Sequence, residues 1–376
     1  MKEDDPASAP RVSVVLPIFN VEEYLPKCLR SLAGQTLRDI EVVCVDDGSS
    51  DRSGCIADEF AAGDARFRVF HQQNAGAGPA RNCGVDHSCG DYLLFVDPDD
   101  WCDAAMVETL YRRAQETNAD VVVSPLNHQS IAAGPDQGRG LSLSNEMLAG
   151  LAQPFAGRDA AEVLFNFTTS SPVKLFRRSY VLEQNLRFQA VPRKNDVLFV
   201  NTALACARRI ATVEHMNYHY NDCREGSTHR SFDRHPTAFV DAYAALWKAL
   251  TARGLDGIYA RTFLRRVYMV GEHDLLSFQR PESIRTMYRG FRDLLAEAVS
   301  RAGGVDALPE SDRTRCGAIL GDETPTAFLM LKLKQTEALQ AGAGPSLEAV
   351  GGWRILRELF RRVARKLRKL ATGGKR

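Results

Sequence analysis

Three aspartates, Asp97, Asp99 and Asp100, follow directly after an apolar run in the sequence. The run, residues 92–96, is typical of a buried strand. Carboxylates this close repel one another unless a cation or hydrogen-bond donors lie between them. Oxygen ligands of this kind suit Mg²⁺ or Mn²⁺, which also coordinate phosphates. The spacing therefore predicts a site for a metal ion and a phosphate, although an acidic turn with Asp100 or Asp103 as a helix N-cap would look similar.

The composition is that of an ordinary globular protein, with 376 residues of which 44% are hydrophobic and 25% charged. The net charge is +1, but residues 353–376 hold ten basic residues and one acidic residue, so this segment carries +9 and the rest −8. No apolar run of about 20 residues predicts a membrane-spanning helix, and we expect no secretion signal at the N-terminus. Nine cysteines without a Cys-x-x-Cys pair favour a reducing cytoplasm over a disulfide framework or a zinc site.

Strands and helices are predicted to alternate over the first 125 residues. Apolar runs predict strands at 11–19, 40–45, 68–71, 92–96 and 120–124. Amphipathic stretches predict helices at 21–33, 53–62, 80–88 and 103–117. Asn20 is the expected N-cap of the first helix. This alternation is typical of a doubly wound, mostly parallel sheet, whereas only helical stretches follow residue 236.

Polar residues follow the first two predicted strands as well as the fourth. Pro17, Phe19 and the polar Asn20 lie at the end of the first strand, and Asp46 and Asp47 follow the second. An open parallel sheet binds its ligands outside the carboxyl ends of its strands. The Asp47 carboxylate could accept the imide N–H of a uracil ring. An ordinary turn is the alternative, because Asp-Gly is a common turn pair.

A glycine-rich segment, residues 74–79, precedes the third predicted helix and is followed by Arg81. A helix start combined with a guanidinium group is a natural site for a diphosphate. The segment differs from the Gly-x-Gly-x-x-Gly pattern, since Gly76 and Gly78 are followed by Pro79. A lone glycine-rich loop is a weak signal, so this interpretation depends on the neighbouring motifs.

Four blocks, residues 12–20, 43–49, 78–85 and 95–101, occur in this order. Together they resemble the glycosyltransferase family 2 domain of bacterial surface-glycan enzymes. The resemblance implies the GT-A fold, which is a Rossmann-like α/β fold. It also implies inverting transfer of a sugar from a UDP-sugar donor, with Mn²⁺ or Mg²⁺ as the cofactor. The strong similarity ends near residue 105, and a weaker one continues to about residue 235.

The resemblance assigns roles to individual residues. Asp99 would be a metal ligand, and Arg81 would contact the diphosphate. The other residues expected to line the nucleotide-sugar site are Pro17, Phe19, Asp47, Asp97, Asp100 and Trp101. A later loop is similar to the segment that closes over the diphosphate in some relatives. It would add the donor contacts Arg224, Ser227 and Thr228 and the metal ligand His229.

Asp196 is the expected general base. Family members usually carry a Glu-Asp pair before an apolar helix, and here Asn195 replaces the Glu. The replacement of this Glu by Asn195 bears on the chemistry at the acceptor side of the site and not on the fold. Asp196 as a plain helix N-cap is the alternative.

The tail combines an apolar stripe with basic faces. The apolar residues of the tail recur at spacings of three and four, as expected for one face of a helix. They are Trp353, Leu356, Phe360, Val363, Leu367 and Leu370. A basic amphipathic helix is typical of a membrane-surface element. The alternatives are a helix docked on the protein itself, a short coiled coil or a nucleic-acid patch.

The sequence as a whole predicts five segments. They are a disordered N-terminus (1–10), a GT-A catalytic domain (11–235), a helical subdomain (236–341), a linker (342–352) and a basic amphipathic helix (353–376). The expected partners are a UDP-sugar, a glycan, lipid-linked or polyol-phosphate acceptor, and an anionic membrane surface that binds residues 353–376. We expect a cytoplasmic protein that is peripheral on the inner face of the cell membrane, with no nucleic-acid partner. The donor sugar, linkage and oligomeric state are left open.

Two other classes of protein share parts of this pattern. A sugar-phosphate nucleotidyltransferase has a similar sheet and acidic metal site, but it normally carries a basic glycine-rich loop after the first strand, which residues 17–21 lack. A non-catalytic glycan- or lipid-binding scaffold could retain the fold. The presence of Asp97, Asp99 and Asp196 argues against such a loss of activity.

Overall fold

The computed structural model describes residues 9–124, 151–167, 169–214, 218–221, 232–330 and 363–367. The chain divides into two compact units. Unit 1 comprises residues 1–227 and 245–253, and unit 2 comprises residues 228–244 and 254–376.

Unit 1 begins with regular alternation of strands and helices. Its first elements are β1 (Val12–Ile18), α1 (Leu25–Ala33), β2 (Ile40–Asp46), α2 (Ser53–Gly63), β3 (Phe67–His71), α3 (Ala77–His87), β4 (Tyr92–Phe95), β5 (Trp101–Cys102), α4 (Met106–Thr117) and β6 (Val121–Val123). The later ones are β7 (Lys174–Arg177), α5 (Arg178–Glu183), α6 (Asp196–Cys206), β8 (Ile210–Thr212) and β9 (Tyr218–His219).

Seven of these strands form one sheet in the order β3-β2-β1-β4-β7-β6-β8. All neighbouring pairs are parallel except those of β7, which runs antiparallel to both β4 and β6. Every residue of β1 and β2 is buried, as expected for parallel strands covered on both faces. The predicted mostly parallel, doubly wound sheet is therefore confirmed. β5 and β9 form a separate two-stranded antiparallel sheet.

Three predicted helix starts differ from the structure. Asn20 does not cap α1, whose N-cap is Tyr24. Instead Asn20 adopts a left-handed conformation with φ 48°, and its Oδ1 accepts a hydrogen bond from the Ser50 N–H. α3 begins three residues earlier than predicted, because Gly76 at φ 93° makes the turn into it. The N-cap of α4 is Ala105, so neither aspartate of the acidic-turn alternative occupies that position.

Unit 2 is helical in its described part. Its main helices are α8 (Asp256–Ser277), α9 (Pro281–Arg301) and α10 (Glu310–Gly321), while α7 (Ala238–Thr251) is shared between the units. α8 and α9 pack closely at Gly271, where an added Cβ would lie 2.3 Å from the Phe291 ring. The predicted helical C-terminal region is confirmed. No helix in the described ranges is long and apolar enough to span a bilayer.

The five described tail residues, 363–367, are helical. Val363 is fully buried and Lys366 is 2% exposed. The Lys366 Nζ donates hydrogen bonds to the carbonyl oxygens of Leu275, Leu276 and Phe278 at the end of α8. A helix end leaves such carbonyls without partners inside the helix. These contacts favour the docked alternative for this short stretch, whereas the rest of the predicted membrane helix lies outside the described residues.

Replacing Lys366 with alanine should loosen the end of α8, because three carbonyl groups lose a charged donor. We expect local opening of this helix end to become easier by about 1.5–3 kcal/mol. Hydrogen exchange of the amides near residues 270–278 measures this free energy. The matched control is Arg365→Ala, since Arg365 is exposed on the same turn and should change it by less than about 0.5 kcal/mol. Equal protection in the two variants would contradict the contact.

Candidate active site

The sheet topology brings the ends of β1, β2 and β4 together. β1 lies between β2 and β4, so the strand order reverses beside it. In such sheets ligands bind outside the carboxyl ends of the strands at the reversal point. The residues that follow these three strands are those predicted from the sequence to bind a nucleotide sugar.

The end of β1 presents an apolar surface. Pro17 is buried within the strand, opposite Val45 of β2. Phe19 follows the strand and is 43% exposed, although it is a large apolar side chain. An exposed aromatic ring at a ligand-binding edge is suited to contact a flat base. This placement agrees with the predicted nucleoside pocket.

Asp47 fixes the glycine-rich segment. Its Oδ1 accepts hydrogen bonds from the Gln72 side chain at 2.7 Å and the Ala75 N–H at 2.9 Å, and its Oδ2 accepts from the Gly76 N–H at 2.8 Å. The side chain is 2% exposed. A carboxylate has about four acceptor positions, so a uracil N–H would have to use the remaining one. Asp47 therefore holds the glycine-rich segment in place through these hydrogen bonds, a role that was not predicted from the sequence.

Arg81 connects the parts of the site that come from distant segments. Its guanidinium donates to Asp97 Oδ1 at 2.6 Å and to Asn195 Oδ1 at 2.8 Å. The Arg81 side chain is 9% exposed and that of Asp97 is 28% exposed. The guanidinium also lies 5.4 Å from the centre of the Phe188 ring. Its Nε atom is buried without a hydrogen-bond partner.

The segment before α6 is fastened to α3. The Asn82 side chain exchanges two hydrogen bonds with the backbone of Phe188, at 2.9 and 2.8 Å. The backbone of Gln189 crosses Gly78 so closely that an added Cβ would lie 2.2 Å from the Gln189 oxygen. Only glycine allows this approach. These contacts place the start of α6 beside Arg81.

Asp196 is the first residue of α6, and Asn195 is its N-cap. The plain N-cap alternative for Asp196 therefore does not hold. Burial raises the pKa of the Asp196 carboxyl, and the nearby charge of Asp97 adds to this effect. The charges of Arg81 and Lys174 lower the same pKa. A carboxyl group whose pKa is raised towards neutrality is a suitable proton acceptor.

Asp100 has a different environment from its neighbours. It is 1% exposed, and it accepts hydrogen bonds from the Tyr218 hydroxyl and, at 2.7 Å, from the Asn221 N–H. Burial, and then the charges of Asp97 and Asp99, raises the pKa of Asp100 well above its usual range. Asp100 therefore ties β9 to the end of β4. Its burial argues against the predicted direct contact with the donor.

Trp101 lies at the rim of this edge and is half-buried. The Lys27 Nζ lies over its ring, 2.9 Å from the centre. The His219 imidazole stacks against it at 5.3 Å with an interplanar angle of 6°, and its Nε2 lies 2.7 Å from Asp103. Lys27 and His219 both contact the flat surface of the Trp101 indole. A donor sugar would therefore contact the edge of this ring or displace Lys27.

A metal ion would have few protein ligands here. In the parts of the chain that the structure describes, no three His, Cys, Asp or Glu side chains are close enough to hold one. Asp99 is half-buried at the strand end, and a Mg²⁺ ion needs only one or two carboxylates when phosphates complete its shell. Asp99 thus fits the predicted metal together with a diphosphate. The predicted contacts Arg224, Ser227, Thr228 and His229 lie outside the described residues.

Some residues of this edge were not assigned roles from the sequence. Gln72 and Lys27 belong to no recognised motif, whereas Lys174 begins the stretch 174–178, which resembles the usual lead-in to the Glu-Asp pair but assigns the lysine no role. From the sequence, Asn195 was recognised only as the residue that replaces the usual glutamate, and no role was predicted for it. Its amide oxygen accepts from Arg81, where a glutamate would add a further negative charge.

Residues 13–181 match the family model described as Glycosyl transferase family 2. Glycosyltransferase GlyA of Streptococcus pneumoniae is 47% identical over 113 residues, which are 30% of this chain and 16% of the relative. A poly(ribitol-phosphate) beta-glucosyltransferase of Bacillus spizizenii is 27% identical over 251 residues, 65% of this chain and 38% of the relative. S. aureus TarS 1–349 in complex with UDP-GlcNAc superimposes with a TM-score of 0.65 at 23% identity, covering 85% of this chain and 90% of that one.

The likeness to TarS concerns the fold, and it confirms the GT-A architecture. The chain spans less than two fifths of the length of the two relatives named above. Residues 13–181 form a glycosyl transferase family 2 domain. The resemblance drawn from the four sequence blocks is therefore confirmed.

Proposed function

We propose that this chain is an inverting glycosyltransferase that moves a sugar from a UDP-sugar to a hydroxyl group of a glycan, lipid-linked or polyol-phosphate acceptor. One observation carries the proposal: Arg81, Asp97, Asn195 and Asp196 meet at the carboxyl edge of the sheet, although they come from three separate segments. A cation beside a carboxyl group of raised pKa suits a reaction in which a diphosphate leaves and a hydroxyl loses its proton.

Asp196 would act as the general base. Its carboxylate takes the proton of the acceptor hydroxyl while that oxygen forms a bond to C1 of the sugar. The bond between C1 and the diphosphate oxygen breaks at the same time, and UDP leaves with the electron pair. Because attack and departure occur on opposite sides of C1, the configuration is inverted. A positioned base of this type contributes about 10²–10⁴-fold to the rate.

Arg81 would stabilise the charge that develops on the departing diphosphate through the positive charge of its guanidinium, which is held at this edge by Asp97 and Asn195. Asp99 would hold a divalent cation. When bound, Mn²⁺ or Mg²⁺ supplies further neutralisation of the diphosphate charge.

Two of the similar proteins support the choice of substrates. The similarity to a poly(ribitol-phosphate) beta-glucosyltransferase supports a polyol-phosphate acceptor as one candidate. TarS, which shares the fold, was crystallised with UDP-GlcNAc, and this supports a UDP-sugar donor. We further propose a cytoplasmic site of action at the membrane surface.

Release of UDP from a panel of UDP-sugars, with each class of acceptor present, tests this function. We expect release from one sugar in the presence of Mn²⁺ or Mg²⁺, and its loss both with EDTA and in Asp99→Ala. The control variant is Asp91→Ala, because Asp91 is exposed at the opposite end of β4. No release with any donor and acceptor would contradict the proposal and favour a non-catalytic scaffold.

A further inference from the structure

A buried lysine lies at the same edge of the sheet as the candidate base. Lys174 is the first residue of β7. β7 runs antiparallel to its two neighbours, so it starts where the parallel strands end. The side chain is 0% exposed, and its Nζ donates to the Ser170 carbonyl at 2.7 Å. A lysine is almost never fully buried unless it is paired, and the Ser170 carbonyl is one partner of this one.

The packing of β7 places Lys174 on the side of the sheet that α6 covers. Alternate residues of a strand share one face, so Lys174 lies on the same face as Phe176. The ring of Phe176 packs 5.1 Å from that of Phe199 in α6. Phe199 lies three residues after Asp196 in α6, and Phe176 lies two residues after Lys174 in β7. Both elements start at the carboxyl edge, and their first residues therefore lie at that edge on the same side of the sheet.

Few charges surround the Asp196 carboxyl in the described part of the chain. Arg81 faces it from α3, Asp97 from the end of β4 and Lys174 from β7. Arg193 and Lys194 precede it on its own segment. Arg81 forms an ion pair with Asp97 at 2.6 Å, and the two charges act on the Asp196 carboxyl in opposite directions. Lys174 is a second cation, on a different element from Arg81, whose charge favours the ionised form of Asp196.

We propose that Lys174 is a positioning residue that keeps Asp196 in its ionised, proton-accepting form. This inference rests on the proposed function, because it assigns the base of that reaction. The direction of the electrostatic effect agrees with it: the charge of Lys174 lowers the pKa of Asp196, against the larger effect of burial, which raises that pKa. Nothing in the family motifs quoted above assigns this role to the lysine.

The test is the pH dependence of kcat/KM in Lys174→Gln, a variant that keeps a side-chain donor for Ser170 and removes the charge. We expect the acid limb of the profile to move to higher pH by about one unit, since an opposite charge nearby typically shifts a carboxyl pKa by one to three units. Lys174→Arg should restore the limb towards its original position. Lys248→Gln is the matched control, because Lys248 is exposed on α7, and its limb should not move.

The outcomes separate this inference from the proposed function. If the wild-type chain transfers no sugar at any pH, the proposed function fails. If it transfers sugar but Lys174→Gln lowers the rate equally at all pH values, Lys174 has only a structural role and the inference is overturned. Should Lys174→Gln fail to fold, Lys174→Met, which also removes the charge, decides: an acid limb at higher pH than that of the wild type supports the inference, and a coincident limb with a lower rate contradicts it.

Discussion

Replacing Asp196 with asparagine should lower the rate of sugar transfer by about 10²–10⁴-fold. The amide has nearly the same shape as the carboxylate but accepts no proton from the acceptor hydroxyl. Asp196 is the first residue of α6 and not its N-cap, so the helix should form normally. Single-turnover measurements with a saturating UDP-sugar and acceptor give the rate of the chemical step directly.

The affinity for UDP provides the internal control for this variant. It should change by less than about threefold, because the proposed base acts on the acceptor and not on the nucleotide. Glu183→Gln, which changes an exposed acid at the end of α5, should leave the transfer rate as it is. Transfer at the wild-type rate in Asp196→Asn would remove this residue from the mechanism.

The pH dependence of the wild-type chain follows from the same residue. Since the pKa of Asp196 is raised by burial and by the charge of Asp97, the carboxylate is lost at a higher pH than for an exposed aspartate. Transfer should therefore decline as the pH falls through this raised pKa, above the usual carboxyl range near pH 4.

Arg81→Met should weaken both the fold and the reaction. The substitution leaves the Asp97 carboxylate and the Asn195 amide without their common partner, and the loss of hydrogen bonds in this part-buried ion pair should lower the free energy of unfolding by about 1.5–3 kcal/mol. Transfer should fall by about 10²-fold or more, because a fixed positive charge beside the leaving group is lost. Chemical denaturation and steady-state kinetics on the same preparation measure the two effects.

A second arginine offers a matched comparison. Arg187 also forms an ion pair, with Asp86 at 2.5 Å, but the two side chains are 42% and 52% exposed. Exposed pairs contribute about 0–1 kcal/mol, so Arg187→Met should lower the free energy of unfolding far less than Arg81→Met. Equal losses in the two variants would show that the Arg81 network has no special importance.

Much of the sheet could be predicted because its strands are short, uninterrupted apolar runs. β1 and β2 are buried along their whole length, and their bounds differ from the predicted ones by no more than one residue. β7 was missed, since it has only four residues, in which two basic side chains flank Leu175 and Phe176, and two apolar residues are too short a run to predict a strand. Its position between β4 and β6 depends on long-range pairing, which a local pattern does not contain.

The contacts within the site could be predicted only in part. The aspartates at the strand ends were found because their types and spacing are unusual. Their partners were not, because Asn195 lies 114 residues from Arg81 in the sequence and Tyr218 lies 118 residues from Asp100. The burial of Asp100 follows from the second of these contacts. Motifs thus identified the reactive groups, whereas tertiary packing decides which of them face a ligand.

The location of bound UDP tests the central claim most directly. A crystal structure of the chain with UDP should place the uracil ring beside Phe19 and Asp47, and the diphosphate beside Arg81, outside the ends of β1, β2 and β4. UDP bound at any other surface, with Arg81 still engaged only by Asp97 and Asn195, would contradict the assignment of this edge as the donor site.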